Sequence, residues 1–334
     1  MNPSFCSVGK PQVEMKRLFY IKEISNYRSE LMGWAMIWIM MLHFTFTQLH
    51  PIGFIAQYGF AGVDIFMLVS GMGLYFSLEK DNDIIRFYKK RLLRIFPTYY
   101  MLGAFYSLLL FHDTILGYIF RYTTIGFWFG GKYGEWYVPS IVMLYLFAPL
   151  IKREFDLKRF WIIGVLIFFV LLLAYYLVGK ENIIDRDHFF FIYRITAFIF
   201  GMACAYWLKM GKTKYFIFMM ILGIPIFVFL FPQHHTFYLY KYLSLLFLLP
   251  FFTICFVTIS KYMGRLRLVI AEIGKASLEI YLIQGLFFYA IINQQLIISA
   301  SYHDVISIIL IIFCVLAGVF THWIIGRIQF SSLL

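Results

Sequence analysis

The chain has 334 residues, of which 62% are hydrophobic and 14% charged. Soluble domains carry about 25% charged residues. With a mean hydropathy of +0.80 and 40 Phe and 25 Tyr, the composition excludes a soluble enzyme, a disordered chain and a secreted disulfide scaffold, and indicates a polytopic membrane protein. A spanning helix needs roughly 20 apolar residues, so there is room for about ten or eleven.

Ten spans are predicted. They run over 31–49, 54–78, from near Pro97 to near Phe111, then 135–151, 160–178, 189–208, 215–231, 237–260, 270–292 and 305–325. The second is interrupted by Gly59, Gly62, Gly71 and Gly73. The stretch from Phe111 to Gly134 is rich in Gly and aromatics and is expected to lie along the interface or dip back into the protein. The fold class is therefore an all-α bundle.

The net charge of +12 sets the topology. With the N-terminus inside, 23 of the 29 Lys and Arg residues fall in inside segments and five in outside segments, with Arg194 inside a span. That is a positive-inside distribution, so both termini are expected to be cytoplasmic. Nucleic-acid binding is not needed to explain the charge. Residues 1–30 read as a cytoplasmic segment, 31–326 as the transmembrane domain and 327–334 as a short cytoplasmic tail. The mixed, basic residues before the first apolar run do not resemble a cleavable signal peptide. Cys6, Cys204, Cys255 and Cys314 form no CxxC pair and read as small core hydrophobes. No metal site is expected, the vicinal His234–His235 being a poor ligand pattern.

Ionisable residues within spans are costly and mark candidate sites. They are His43, Asp64, Arg194, Glu279 and His322. His43 falls about 18 Å from the inner end of the first span, and Asp64 about 15 Å from the outer end of the second. The loop between these spans is short, so a His43–Asp64 pair is expected, with the carboxylate fixing the imidazole tautomer. A buried histidine satisfied by a backbone carbonyl is the alternative. Arg91 and Arg94 share a helical face ahead of Pro97. The pair suits phosphate oxygens, or serves membrane orientation and lipid headgroups. Glu135, Trp136 and Tyr137 open the fourth span, as an interfacial belt or as a surface that stacks on a sugar. Arg194 either snorkels or faces an anionic acceptor. Glu279 has no identifiable partner in the sequence.

These residues together resemble the membrane acyltransferase family of the acyltransferase 3 type. The stretch Leu31 to Phe44 is similar to the family's catalytic-histidine helix, and Gly62 to Gly71 to its GVDIFFxxSG block. Phe87 to Pro97 is similar to its RxxRIxP block, Trp136 and Tyr137 with Tyr145 and Pro149 to its fourth-span block, and Ser277 to Gln284 to its SxxIYLxH block. Two positions depart from the pattern. Met32 stands where an arginine is common, with Arg28 one turn earlier, and Gln284 stands where histidine is usual.

The resemblance implies an O-acyltransferase of the inner or plasma membrane. Its donor would be acetyl-CoA or another small acyl-CoA, held by Arg91 and Arg94. His43, with Asp64, would act as general base or acyl carrier. A saccharide acceptor, lipid-linked or growing, would enter past Glu135, Trp136, Tyr137 and Arg194. The rival class is a transporter of a polysaccharide or small solute. Transporters often break helices at matched places in two halves, and the glycine interruption of the second span has no later counterpart. A scaffold would leave His43, Asp64 and the arginine pair without a use.

Overall fold

A computed structural model describes residues 22–44, 50–81, 83–129, 136–178, 186–230, 238–292 and 303–331. Among them there is helix and no strand. In chain order the helices are α1 (Arg28–His43), α2 (His50–Ala56), α3 (Ala61–Lys80), α4 (Ile84–Tyr106), α5 (Ile115–Tyr122), α6 (Ile125–Trp128), α7 (Tyr137–Asp156) and α8 (Phe160–Val178). They continue as α9 (Arg186–Lys209), α10 (Lys214–Leu230), α11 (Tyr238–Tyr262), α12 (Leu266–Lys275), α13 (Ser277–Ile292) and α14 (His303–Ser331). Ala61–Lys80, Leu245–Tyr262 and Asp304–Arg327 are long and apolar enough to cross a membrane.

Three sequence expectations are corrected. The second span begins at Ala61, because α2 ends at Ala56 and residues 57–60 make a turn closed by Gly59 N–H to the Ala56 carbonyl and Ala61 N–H to the Tyr58 carbonyl. Asp64 therefore lies in the first turn of a helix, where the N-terminal dipole favours an anion. The third helix begins at Ile84, well before Pro97, because the Asp83 side chain caps it by accepting from the Arg86 N–H at 3.0 Å. Nearby, the Asp83 N–H and then Arg86 hold the Asp81 carboxyl below its ordinary range. The ninth span is divided at Ala276 into α12 and α13. The segment after α4 passes through a π-helical turn, Ser107–Phe111, and a left-handed His112 (φ 49°). It then enters α5, whose Ile115, Leu116, Ile119 and Phe120 are exposed. Asp113 and Arg121 pair at 2.9 Å across that hairpin.

Helix α3 is apolar on nearly every side and is buried at the centre, as such a helix must be. It packs against α1, α7, α9 and α11. Small residues permit the closest approach. The Gly71 Cα faces the Phe198 carbonyl, and Gly201 faces the Leu68 carbonyl from α9, so neither position has room for a Cβ. The same reciprocal contact joins α1 to α12, with Gly33 on Ile270 and Gly274 on the Ser29 carbonyl. The apolar surfaces of α8 and α14 face outward, among them Trp161, Phe168, Phe169, Ile309, Phe313 and Leu316.

The basic ends of α3, α7 and α9 meet in one network. Lys152 lies 3.0 Å from Glu79 and 2.6 Å from Asp156, Lys209 lies 2.7 Å from Glu79, and the Tyr75 hydroxyl donates to Asp156 at 2.8 Å. Lys261 pairs with Glu23 where α11 ends.

Gly201→Val is expected to cost about 1–3 kcal/mol through overpacking and to lower the melting temperature in detergent. Gly164→Val, where an added Cβ meets nothing within 4 Å, is expected to leave it unchanged. Equal melting temperatures for the two variants would contradict the close packing of α3 on α9.

Candidate active site

Helix α1 has two faces. Trp34 stacks on Phe256 and Trp38 meets Phe252 edge to face, both on α11, and their indole N–H groups donate to Ser260 at 3.0 Å and to the Ile55 carbonyl at 2.8 Å. Around the helix from them run Arg28, Met32, Met36, Ile39 and His43, spaced four, four, three and four residues apart on one stripe. This stripe lines a cavity of about 460 Å³, within the range of small-molecule sites. The remaining walls come from α3 (Phe66, Ser70), α4 (Arg91, Arg94), α7 with Trp136 (Tyr137, Tyr145), α12, α13 and His322 of α14. From Arg28 to His43 the stripe rises about 22 Å.

One end of the cavity is cationic. Arg28, Arg91, Arg94 and Lys275 line it. The Arg28 guanidinium rests on Gly73, where a Cβ would lie 3.1 Å from its Cζ. Among the described residues no carboxylate lies within 4 Å of Arg28 or Arg91. The Arg91 Nε is buried without a hydrogen-bond partner. Arg94 is engaged differently. Its Nη2 donates to the Lys275 carbonyl at 2.7 Å, and its Nη1 lies 3.6 Å from Glu279 and 3.3 Å from His322 Nδ1. Glu279 is fully buried, and its Oε1 is 3.1 Å from His322 Nδ1. Glu279 thus has partners that the sequence could not name, on helices 43 residues and more away.

His43 lies at the other end, its ring stacked on Phe288 at 4.6 Å between centroids. The expected His43–Asp64 hydrogen bond is not formed. Asp64 is buried and instead faces Arg194, with 3.6 Å between Oδ1 and Nε. Arg194 is 1% exposed. Its Nη2 donates to the Phe60 carbonyl at 3.1 Å, and its guanidinium lies 4.9 Å from the Trp136 ring. The physical reason is charge: a guanidinium neutralises a buried carboxylate, and a neutral imidazole does not. Of the sequence candidates, His43, Arg91, Arg94, Trp136 and Tyr137 line one cavity. Asp64 and Arg194 form a pair behind Trp136. Glu135 and His234–His235 lie outside the described residues. Gln284, passed over as a departure from a motif, is fully buried beside His43. Its signal was a lone amide in an apolar run.

The family model for the acyltransferase domain matches residues 31–327. The chain belongs to the acyltransferase 3 family, and among the described residues it has three helices long and apolar enough to cross a membrane. It is also similar to a protein of Acidianus two-tailed virus named "Putative acetyltransferase ORF330", 29% identical over 141 residues, which are 40% of this chain and 42% of that protein. The chain thus spans under half the length of that relative. No solved structure matches.

Arg194→Leu is expected to destabilise the fold by about 3–5 kcal/mol, because it leaves a buried carboxylate uncompensated. Adding Asp64→Asn is expected to recover part of that loss in detergent unfolding. Strictly additive losses would show that the two side chains do not interact.

Proposed function

We propose that the protein transfers an acetyl or other small acyl group from cytoplasmic acyl-CoA to a hydroxyl of a cell-surface or lipid-linked saccharide. The observation that carries this reading is the continuity of one cavity from a cluster of arginines to His43. The positive-inside distribution supports a cytoplasmic position for the arginine end. On this reading α1, α3, α4, α7, α8, α9, α10, α11, α13 and α14 span an inner or plasma membrane, with both termini cytoplasmic. The short α2, α5, α6 and α12 do not span it.

Arg28 and Arg91, which lack a carboxylate partner, bind the donor's phosphates, and Arg94 adds a third guanidinium. The apolar wall between Met32 and Ile39 takes the donor's arm. This places the thioester carbon near the His43 ring. His43 removes the proton of the acceptor hydroxyl, whose oxygen bonds to the acyl carbon. The carbon–sulfur bond breaks, and the leaving thiolate takes the proton back from the imidazolium. Trp136 and Tyr137, with Glu135, form the acceptor side, and Arg194 braces Trp136 from behind. Membership of an acyltransferase family favours this reading over a transporter.

His43→Ala is expected to abolish transfer of label from radiolabelled acetyl-CoA to native membrane saccharide while the protein remains inserted. Retained transfer would overturn the role of His43. Arg28→Gln with Arg91→Gln is expected to raise the KM for acetyl-CoA more than tenfold and leave that for the acceptor unchanged. An unchanged donor KM would place the donor elsewhere.

A further inference from the structure

Two polar side chains, His43 at the far end of the cavity and Gln284 beside it, are left without hydrogen bonds. His43 Nδ1 is buried and unpartnered, and so are both amide atoms of Gln284, a residue with no exposure. A buried polar group left unsatisfied is costly, so three of them together call for an account. They belong to one place. Gln284 and Phe288 are four residues apart and share a face of α13, and Phe288 is the ring stacked on His43. The Gln284 amide is the polar neighbour of the imidazole. Asp64, the carboxylate that the sequence offers for this place, is occupied by Arg194.

The two nitrogens of His43 differ. Nδ1 is buried without a partner, whereas Nε2 is not among such atoms, and the His43 side chain lines the cavity. A histidine that acts as a base through one nitrogen needs its other N–H held by an acceptor, which fixes both tautomer and ring orientation.

We propose that Gln284 is the positioning residue of His43: its Oε1 accepts the Nδ1–H and leaves the Nε2 lone pair pointing into the cavity. This bond satisfies two of the three orphaned atoms. The Gln284 carbonyl is neutral, so it orients the ring without placing a second charge at the apolar end. This proposal rests on the reading of His43 as the base.

The test measures kcat and KM for radiolabelled acetyl-CoA, with native membrane vesicles as the acceptor source, in full-length protein. Gln284→Met keeps the length of the side chain and removes the acceptor. It is expected to lower kcat at least tenfold with the donor KM unchanged. Gln284→Glu keeps an oxygen at the same reach and is expected to retain most of the kcat. Wild-type kcat in Gln284→Met, or equal losses in both variants, would overturn the proposal. If Gln284→Met does not insert, Gln284→Asn replaces it, since it withdraws the oxygen from reach. An active Asn variant beside an inactive Glu variant would overturn the proposal, and the opposite result would support it. His43→Ala is run alongside. Activity in that variant overturns the reading of His43 itself, whereas its loss with an active Gln284→Met overturns only the role of Gln284.

Discussion

The Asp64–Arg194 ion pair is enclosed in apolar surroundings, where its attraction is far stronger than in water and either charge alone would be prohibitive. It joins α9 to the first turn of α3. Through the Phe60 carbonyl it also fixes the turn that precedes α3, and through the Trp136 ring it fixes the start of α7. Those are the helices that supply Phe66, Ser70, Tyr137 and Tyr145 to the cavity. The pair does no chemistry in this account. It sets the walls within which chemistry can occur, and the glycine contacts of Gly71 and Gly201 bring α3 and α9 close enough for it to form.

On the proposed reading, α1 carries the working groups. Its tryptophans anchor one side to α11, and its Gly33 seats it on α12. The opposite stripe is polar only at its two ends, Arg28 and His43, with methionines and Ile39 between. A ligand with an anionic end and a long, weakly polar arm matches that order of chemistry. The three arginines are not equivalent. Arg94 is tied to Glu279, His322 and the Lys275 carbonyl, so an incoming anion must compete with Glu279 for it. Arg28 and Arg91 present no such competition, and on the proposed reading they are the primary anion ligands.

Much of this was legible in the sequence, because composition and motif spacing are local properties. The helical, membrane-spanning character followed from the apolar content. His43, Arg91, Arg94, Trp136 and Tyr137 sat in recognisable blocks and meet in one cavity. What failed was pairing. A short connection between two spans suggested that His43 and Asp64 are partners. The turn at 57–60 instead starts α3 later, and a guanidinium 130 residues away in sequence wins the carboxylate. Glu279 found His322 and Arg94 in the same long-range way. Periodicity reports which face a residue occupies, not which distant helix covers that face. Gln284 was visible only as a departure from a pattern, and its meaning came from the ring stacked one turn further on.

The central claim is that one cavity carries the donor from the arginine cluster to His43. A structure of the full-length protein in lipid nanodiscs, bound to a non-transferable thioether analogue of acetyl-CoA, tests it most directly. The account predicts the analogue's phosphates against Arg28 and Arg91 and its sulfur beside the His43 ring. Phosphates bound away from these arginines, or an acyl end that does not reach His43, would contradict it.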